Sequence, residues 1–273
     1  MVLLFCIAML NPVVMSKCTK LTREKTICAK IELSSIKLIL KKAETDTYIV
    51  NTKLNYDSTN TSVGIDYKVE EKIGKFEIKE DNKQSNLPTG GDAGDILEAL
   101  NKLKNTCKVM VTHKIPLELN LNVKSADVNL TGLKVSGFNF STNGVSTLSI
   151  DSLNTMLCKD FYVNSQFGSF KGTNLSNANF ENFYFSGGIG IYTLDFNGKF
   201  EGSKRIEITL GTGQLTLIMP DSVSIKLKST GVHLKNIKKL AKDENGWYCS
   251  TIKNNKKELI IHIDGSMGVA IIK

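Results

Sequence analysis

The feature that most limits what this chain can fold into is a repeat. Between residue 130 and about residue 220, apolar residues recur every 22 or 23 positions. Phe138, Phe161 and Phe183 form one column, and Leu130, Leu153 and Leu175 a second. Val135, Leu157 and Phe180 form a third, and Val145, Phe167 and Ile189 a fourth. The first phase runs on into Ile206, and Phe185 is followed at the same spacing by Ile208. A fixed period of this length marks a solenoid, because one unit cannot bury its own apolar side and must stack on a neighbour. The segments 141–144, 164–168, 186–190 and 211–213 are rich in Asn, Ser and Gly and read as recurrent corners. There glycine supplies positive φ or close backbone approach. The repeat predicts an all-β fold, a single β-solenoid of six to eight stacked rungs of about 22 residues.

The flanking segments read as strands as well. Ile31, Leu33, Ile36, Leu38 and Leu40 alternate with polar residues, as do the stretches 48–54, 63–69 and 75–79. Pro88, Gly90, Gly91 and Gly94 then mark a loop. Beyond it Ile96, Leu97, Leu100 and Leu103 fall at helical spacing, with Asp92 or Asp95 as cap, which predicts one small helical insertion near 92–106. A glycine-rich run before a helix invites a phosphate-loop reading, but neither Gly-Lys-Ser/Thr nor G-x-G-x-x-G is present. Strand alternation returns at Leu117, Leu119, Leu121 and Val123, and again at Val223, Ile225 and Leu227. A basic stretch at 231–242 reads as a short helix or loop, and residues 259–269 resemble the rung corner at 138–145. Residues 29–115 are therefore expected to form an irregular first part with the helical insertion. Residues 116–273 are expected to form the regular solenoid with a C-terminal cap, in one continuous domain.

Residues 2–16 are almost wholly apolar but interrupted by Asn11 and Pro12, and shorter than the ~20 residues of a membrane span. Residues 1–17 read as a secretory signal peptide with Ser16 near the cut, although a basic leading region is missing. An uncleaved anchor and a buried segment are the alternatives. The expected location is extracytoplasmic, secreted or attached to the cell envelope. Of six cysteines, Cys6 lies in this run, and none of them forms C-x-x-C. Cleavage would leave Cys18, Cys28, Cys107, Cys158 and Cys249, at least one of them free. Spacing leaves a Cys18–Cys28 pair open.

Chemistry is sparsely marked. The chain carries 35 basic and 27 acidic side chains, a net charge of +8, with its lysines scattered. That reads first as solubility and second as attraction to an acidic surface such as anionic lipid or cell wall. No recognised nucleic-acid motif is present. His113, His233 and His262 sit in separate segments without the spacing of a zinc site, so neither metal nor cofactor is expected. G-x-S-x-G is absent, and Cys107 and Cys158 have no basic neighbour, which reads as buried structural cysteine. The acids of 126–192 are Asp127, Asp151, Asp160 and Glu181, few for a carbohydrate-cleaving groove. Convergence of Asp151, Asp160 and Glu181 would raise that reading. Tyr162 and Tyr184 follow the phenylalanine column by one residue and should point outward, as a stacking platform or, the reading preferred, as ordinary cross-rung packing. Tyr192 lies beside the columns. Asn139, Asn164, Asn179 and Asn182 are expected to form ladders that satisfy turn backbones.

Three segments carry a family resemblance: IPLELNLNVKSADVNLTGLKVSGFNFSTNGVSTLSID at 115–151, IEITLGTGQLTLIMPDSVSIKL at 206–227, and GWYCSTIKNNKKELIIHIDGSMGVAIIK at 246–273. They resemble the bacterial toast-rack, or adhesin-like β-solenoid, domains. The chain departs from that pattern at Ser125-Ala126-Asp127 and in its helical insertion. The resemblance implies a non-enzymatic binding or structural module of the cell envelope, adhesin-like, with a polymer, glycan or protein as partner. It carries over no site residues. An accessory role in envelope-stress sensing and a carbohydrate-active enzyme are the alternative functions, and self-association through end strands remains open.

Overall fold

The computed structural model describes residues 12–20, 22–45, 49–58, 61–82, 105–199, 202–237, 239–252 and 257–273. In chain order the strands are β1 (Pro12–Thr19), β2 (Thr26–Leu33), β3 (Lys37–Lys42), β4 (Val50–Asp57), β5 (Thr61–Glu70), β6 (Ile73–Asn82) and β7 (Thr106–Val111). Then come β8 (Leu117–Val123), β9 (Ala126–Asn129), β10 (Val135–Thr142), β11 (Val145–Ser149), β12 (Cys158–Thr173) and β13 (Phe180–Asp195). They are followed by β14 (Gly202–Leu210), β15 (Gly213–Ile218), β16 (Ser224–Thr230), β17 (His233–Lys235), β18 (Leu240–Lys242), β19 (Tyr248–Ser250), β20 (Lys257–Gly265) and β21 (Val269–Ile272).

These strands stack into two faces joined at a corner. In the front sheet nine strands run parallel, in the order β6–β2–β8–β10–β12–β13–β14–β20–β16. In the side sheet nine run parallel, in the order β7–β3–β9–β11–β12–β13–β15–β21–β17. The long strands β12 and β13 bend through the corner and serve both. A third, irregular side links β9 to β10, β11 to β12 and β12 to β13, and among the described residues it includes one short 3-10 turn, Leu175–Ala178. The all-β solenoid is thus present, with nine rungs where six to eight were expected. The additional rungs come from β2–β3 and β6–β7, in the segment whose sequence looked irregular.

Register places like side chains over like. Phe76, Ala29, Leu119, Phe138, Phe161, Phe183, Ile206, Ile261 and Leu227 occupy one row on successive rungs. All are buried. The Phe138 and Phe161 rings stack at 4.3 Å, and Phe161 and Phe183 at 5.6 Å. Of the second column, Leu130 and Leu175 are buried and Leu153 is half-buried.

Two column assignments need correction. Cys158, not Leu157, pairs with Phe180 and is fully buried, while Leu157 is 51% exposed. The rung from Phe138 to Phe161 is 23 residues long, and a one-residue slip turns a side chain to the opposite face. The fourth column does not hold as one: Val145 pairs with Ser169 whereas Phe167 pairs with Ile189, and all three point to solvent, exposed by 66%, 55% and 58%. Alternation lapses at the corner, where 166–168 are all exposed. The space inside the bend is narrow and holds Thr142, Ser146 and Ser165 instead. The Thr142 hydroxyl donates to the Lys124 carbonyl (3.0 Å), and Ser146 Oγ accepts from the Ala126 amide (3.0 Å). These bonds occupy backbone groups that the bend takes out of the ladder. Glycine is required on the outer turn because rungs touch backbone to backbone: a Cβ on Gly190 would collide with the Gly168 carbonyl, and one on Gly213 with the Gly190 carbonyl.

Both ends of the stack are closed by antiparallel pairs: β5 on β6 and β19 on β16 in the front sheet, β4 on β7 in the side sheet. Stack order departs from chain order near both ends, although β1 stays outermost on β4. β2–β3 lies between β6–β7 and β8–β9, and β20–β21 lies between β14–β15 and β16–β17. The basic stretch at 231–242, expected as helix or loop, contributes the short strands β17 and β18, because it completes the last rung and its closing hairpin. The helix expected near 92–106 falls on residues outside the described ones, apart from its end, where Thr106 already opens β7. The leader expected over 1–17 lies in part outside them too. From Pro12 onward the chain is β1, paired antiparallel with β4. No helix among the described residues is long and apolar enough to cross a membrane.

Two measurements test this packing. Phe161 is fully buried between two stacked rings. Phe161→Ala should lower unfolding free energy by about 3–5 kcal/mol in urea titration, with little change in slope. Deleting residues 257–273 removes a rung from within the stack rather than from its edge. The product should bind a hydrophobic dye and lose cooperative unfolding, whereas a surface change such as Ser266→Ala should leave the midpoint unmoved.

Candidate binding face

The outward row of the front sheet is the most organised surface of the molecule. On successive rungs it presents Lys30, Asn120, Asn139, Tyr162, Tyr184, Glu207, His262 and Lys228. Each sits one residue past the buried phenylalanine row, so strand alternation turns it outward. The Tyr162 and Tyr184 rings lie 4.7 Å apart and within 10° of parallel. Cross-rung packing, the preferred reading, is therefore real. It also stands the two rings upright as one block, with Tyr162 still 44% exposed. The row beside it carries Ser141, Asn122, Asn164, Ser186 and Thr209.

Shallow depressions flank the tyrosine block. One, of about 380 Å³, lies over Tyr162, Tyr184, Asn139, Asn164 and Glu207. The other, of about 480 Å³, is walled by Tyr162, Asn139, Glu118, Asp160 and Cys28 over Gly137, whose missing side chain opens the floor. At the far end of the row, the only tryptophan of the chain, Trp247, sets its ring edge-to-face against His262 at 4.9 Å. The Lys228 ammonium stands 5.6 Å from the same ring. The link of Trp247 to the row appears only once β19 is seen to pair with β16.

The charges on this face are matched locally. Lys30 pairs with Glu32 (3.1 Å) and Glu77 (3.4 Å), Arg205 with Glu207 (2.6 Å), and Lys226 with Glu258 (3.1 Å). The Glu32 carboxylate accordingly holds the Lys30 ammonium above its usual range. Burial, and then the hydrogen bond that Cys28 Sγ donates to Glu118 (3.3 Å), push the Cys28 thiol up to about 11. Burial pushes Cys107 and Cys158 up to about 12, so neither is a thiolate at neutral pH. Cys18, Cys28, Cys107, Cys158 and Cys249 are all free thiols.

The acids singled out by sequence do not converge. Asp151 lies in the turn after β11 and accepts from Asn174 (3.1 Å) on the third side. Asp160 accepts from Asn182 (2.9 Å) on the front sheet, Glu181 is exposed one residue earlier on β13, and Asp127 pairs with Lys37 on the side sheet. His262 joins the front row, His233 is exposed at the start of β17, and His113 follows β7. Tyr192 is buried, and its hydroxyl donates to the Ser165 carbonyl (3.1 Å). No group of three or more His, Cys, Asp or Glu among the described residues is placed to hold a metal ion.

The asparagine ladder exists, only in part where expected: of the four residues named, Asn179 bonds a turn carbonyl. Asn139 and Asn164 face outward on the front sheet. The residues that satisfy the turn backbone are Asn154 and Asn177, 23 positions apart and buried on the third side. Asn154 donates to the carbonyls of Val135 (2.6 Å) and Ala178 (3.1 Å), and Asn177 to that of Ile150 (2.7 Å). Asn179 adds a bond to the Met156 carbonyl (3.1 Å). The shared spacing was the available signal.

A hollow of about 600 Å³ lies at the capped end of the core against Met219, Val223, Ile225, Leu240 and Ile252. Its one central hydroxyl is already engaged: Ser250 Oγ accepts from the Ile225 amide (2.9 Å) and donates to the Ile252 carbonyl (3.1 Å). Its rim also carries Asp221, Asn236, Lys239 and Thr251, with Asp221 and Lys239 paired to each other (2.9 Å).

Among solved structures the chain is similar to a candidate cell adhesion protein from Clostridium sporogenes, with 19% identity, 96% of this chain and 99% of that one covered, and a TM-score of 0.45. It is also similar to a candidate adhesin from Bacteroides fragilis, with 11% identity, 96% and 97% covered, and a TM-score of 0.39. A third is a candidate lipid binding protein from Parabacteroides distasonis, with 11% identity, 96% and 97% covered, and a TM-score of 0.37. No curated protein matches it. The family model for the N-terminal domain of toast_rack, DUF2154, matches residues 14–168, more than half of the chain, and the chain belongs to that family.

Proposed function

We propose that this protein is a non-enzymatic, extracytoplasmic binding module of the cell envelope whose front sheet takes an extended, uncharged polymer, with a glycan as the best fit. The observation that carries this reading is the row Asn120–Asn139–Tyr162–Tyr184, one polar or aromatic side chain per rung at ~4.8 Å spacing. A regular row suits a ligand that is itself regular. The stacked tyrosines offer a rigid apolar surface with two hydroxyls at little cost in side-chain entropy. The flanking amides and hydroxyls of Asn122, Asn164, Ser186 and Thr209 supply donors and acceptors for sugar hydroxyls. Because Lys30, Arg205 and Lys226 are each paired with a carboxylate, the face offers little net charge to a polyanion. The separation of Asp151 from Asp160 and Glu181 supports binding without cleavage.

The test is retention of the full chain on insoluble envelope polymers and on a glycan array. At least one glycan should retain the protein, and raising salt from ~0.1 to ~0.5 M should change retention less than about twofold, since exposed charges are screened over that range. Tyr162→Ala combined with Tyr184→Ala should cut retention about tenfold at an unchanged unfolding midpoint. The retained polymer should release no new reducing ends. Equal retention of the tyrosine variant, or none by the parent protein, would overturn the reading.

A further inference from the structure

The corner between the two sheets carries a second surface of different character. Val145, Phe167, Ile189 and Met267 project from the turns of successive or near-successive rungs, exposed by 66%, 55%, 58% and 73%. Ile191, 63% exposed, adds to the ridge from the start of the side sheet, in one row with Val145 through Ser169. From the Val145 rung to the Met267 rung the ridge is roughly 20 Å long at the rung spacing. It is convex, because the chain turns there on glycines. Phe167 and Ile189 are direct neighbours in one row, which Met267 rejoins beyond Thr212, and Val145 and Ile191 flank Ser169 in the next; single exposed apolar residues need no explanation, but five gathered on one corner do.

Lysines border it. Lys124 occupies the same corner one rung before Gly144 and Val145, with its backbone carbonyl against Gly144. Lys171 stands in the next outward row of the side sheet, two residues beyond Ser169, and Lys235 stands in that row beside Ile271. All three are exposed. Asp127, at the other end of that row, is held by Lys37. The side-sheet border of the ridge is therefore basic, while its front-sheet border carries Ser141, Asn164, Ser186, Thr209 and one exposed acid, Asp264.

We infer that this ridge docks the protein on an anionic lipid surface, with Phe167, Ile189, Ile191 and Met267 entering the headgroup boundary and Lys124, Lys171 and Lys235 against lipid phosphates. Apolar side chains with lysines along one flank are the chemistry that an anionic bilayer surface recognises. A second copy of the chain fits less well. The five side chains offer on the order of 500 Å² of apolar surface, below the ~800 Å² per partner of a stable protein interface. A convex ridge also presents no concavity to an identical one, and like charges would face each other across it. A fluid headgroup layer needs no such complementarity. Docking by the corner leaves the outward row of the front sheet uncovered.

The test is sedimentation of the full chain with vesicles of phosphatidylcholine alone and with about 30% phosphatidylglycerol. Binding is expected to the anionic vesicles, to weaken steeply between ~0.1 and ~0.5 M salt, and to be slight on phosphatidylcholine. Phe167→Ser with Ile189→Ser should reduce it about tenfold at an unchanged unfolding midpoint. Lys124→Glu with Lys171→Glu should reduce it about fivefold or more. Parent and variants share the apolar run at 2–16, so the difference between them isolates the corner. Should the serine pair disturb folding, Ile191→Ser with Met267→Ser, on other rungs, is read in its place. No binding to anionic vesicles, or equal binding by the serine variants, overturns the inference. So does a parent dimer in sedimentation equilibrium that the serine variants dissociate, which would assign the ridge to a second copy.

Discussion

The structure depends on the parallel register between rungs. A rung of this solenoid has no hydrogen-bond partners of its own and no core of its own; both are supplied by the rungs above and below. The same pairing that sets Phe161 between Phe138 and Phe183 inside the coil sets Tyr162 against Tyr184 outside it. Interior and surface are thus two readings of one ladder. A slip of one residue would exchange them, and the buried phenylalanine stack makes that exchange prohibitively unfavourable. The order of the front row follows from the core beneath it.

Register is also what the corners and the third side protect. A bend removes backbone groups from the ladder, and each must find another partner. At the corner the partners are short hydroxyls, Thr142 and Ser146, which fit a space too narrow for a phenylalanine. On the third side they are Asn154 and Asn177, whose amides donate to carbonyls and accept from amides of flanking turns. The interior is apolar where strands are straight and polar where they turn. Large apolar residues displaced from the bend come to lie outside it, where they form the basic-edged ridge.

How much of this was legible in the sequence follows from what periodicity encodes. The 22- or 23-residue spacing of Phe138, Phe161 and Phe183 reports which residues lie over which, and those columns are where expected. It does not report which way a column faces. Val145, Phe167 and Ile189 recur as regularly as any interior set, yet they follow the bend, where alternation stops. Leu157 was misplaced because the spacing itself varies by one residue. Of the asparagines named from sequence only Asn179 joins the ladder in the turns, and Asn154 and Asn177 were missed, since a buried amide is recognisable only once its carbonyl partners are known. The outward direction of Tyr162 and Tyr184 was legible from strand parity; the link to Trp247 was not, because it depends on the chain returning from a hairpin far along.

The placement of the terminal segments has one more consequence. In an open coil, material can be added or shed at either tip and the remainder keeps its shape. Here β2–β3 and β20–β21 are each overlapped by a later or earlier stretch of chain, and the rungs beyond them are covered by the antiparallel strands β4, β5 and β19, so a further parallel rung has no uncovered front-sheet edge to join. A longer or shorter version of this scaffold has to arise by duplicating or excising a unit from the middle, near the run of consecutive rungs β10–β14. Evolution can then vary the reach of the front row and of the corner ridge together, while the interlocked ends are inherited unchanged.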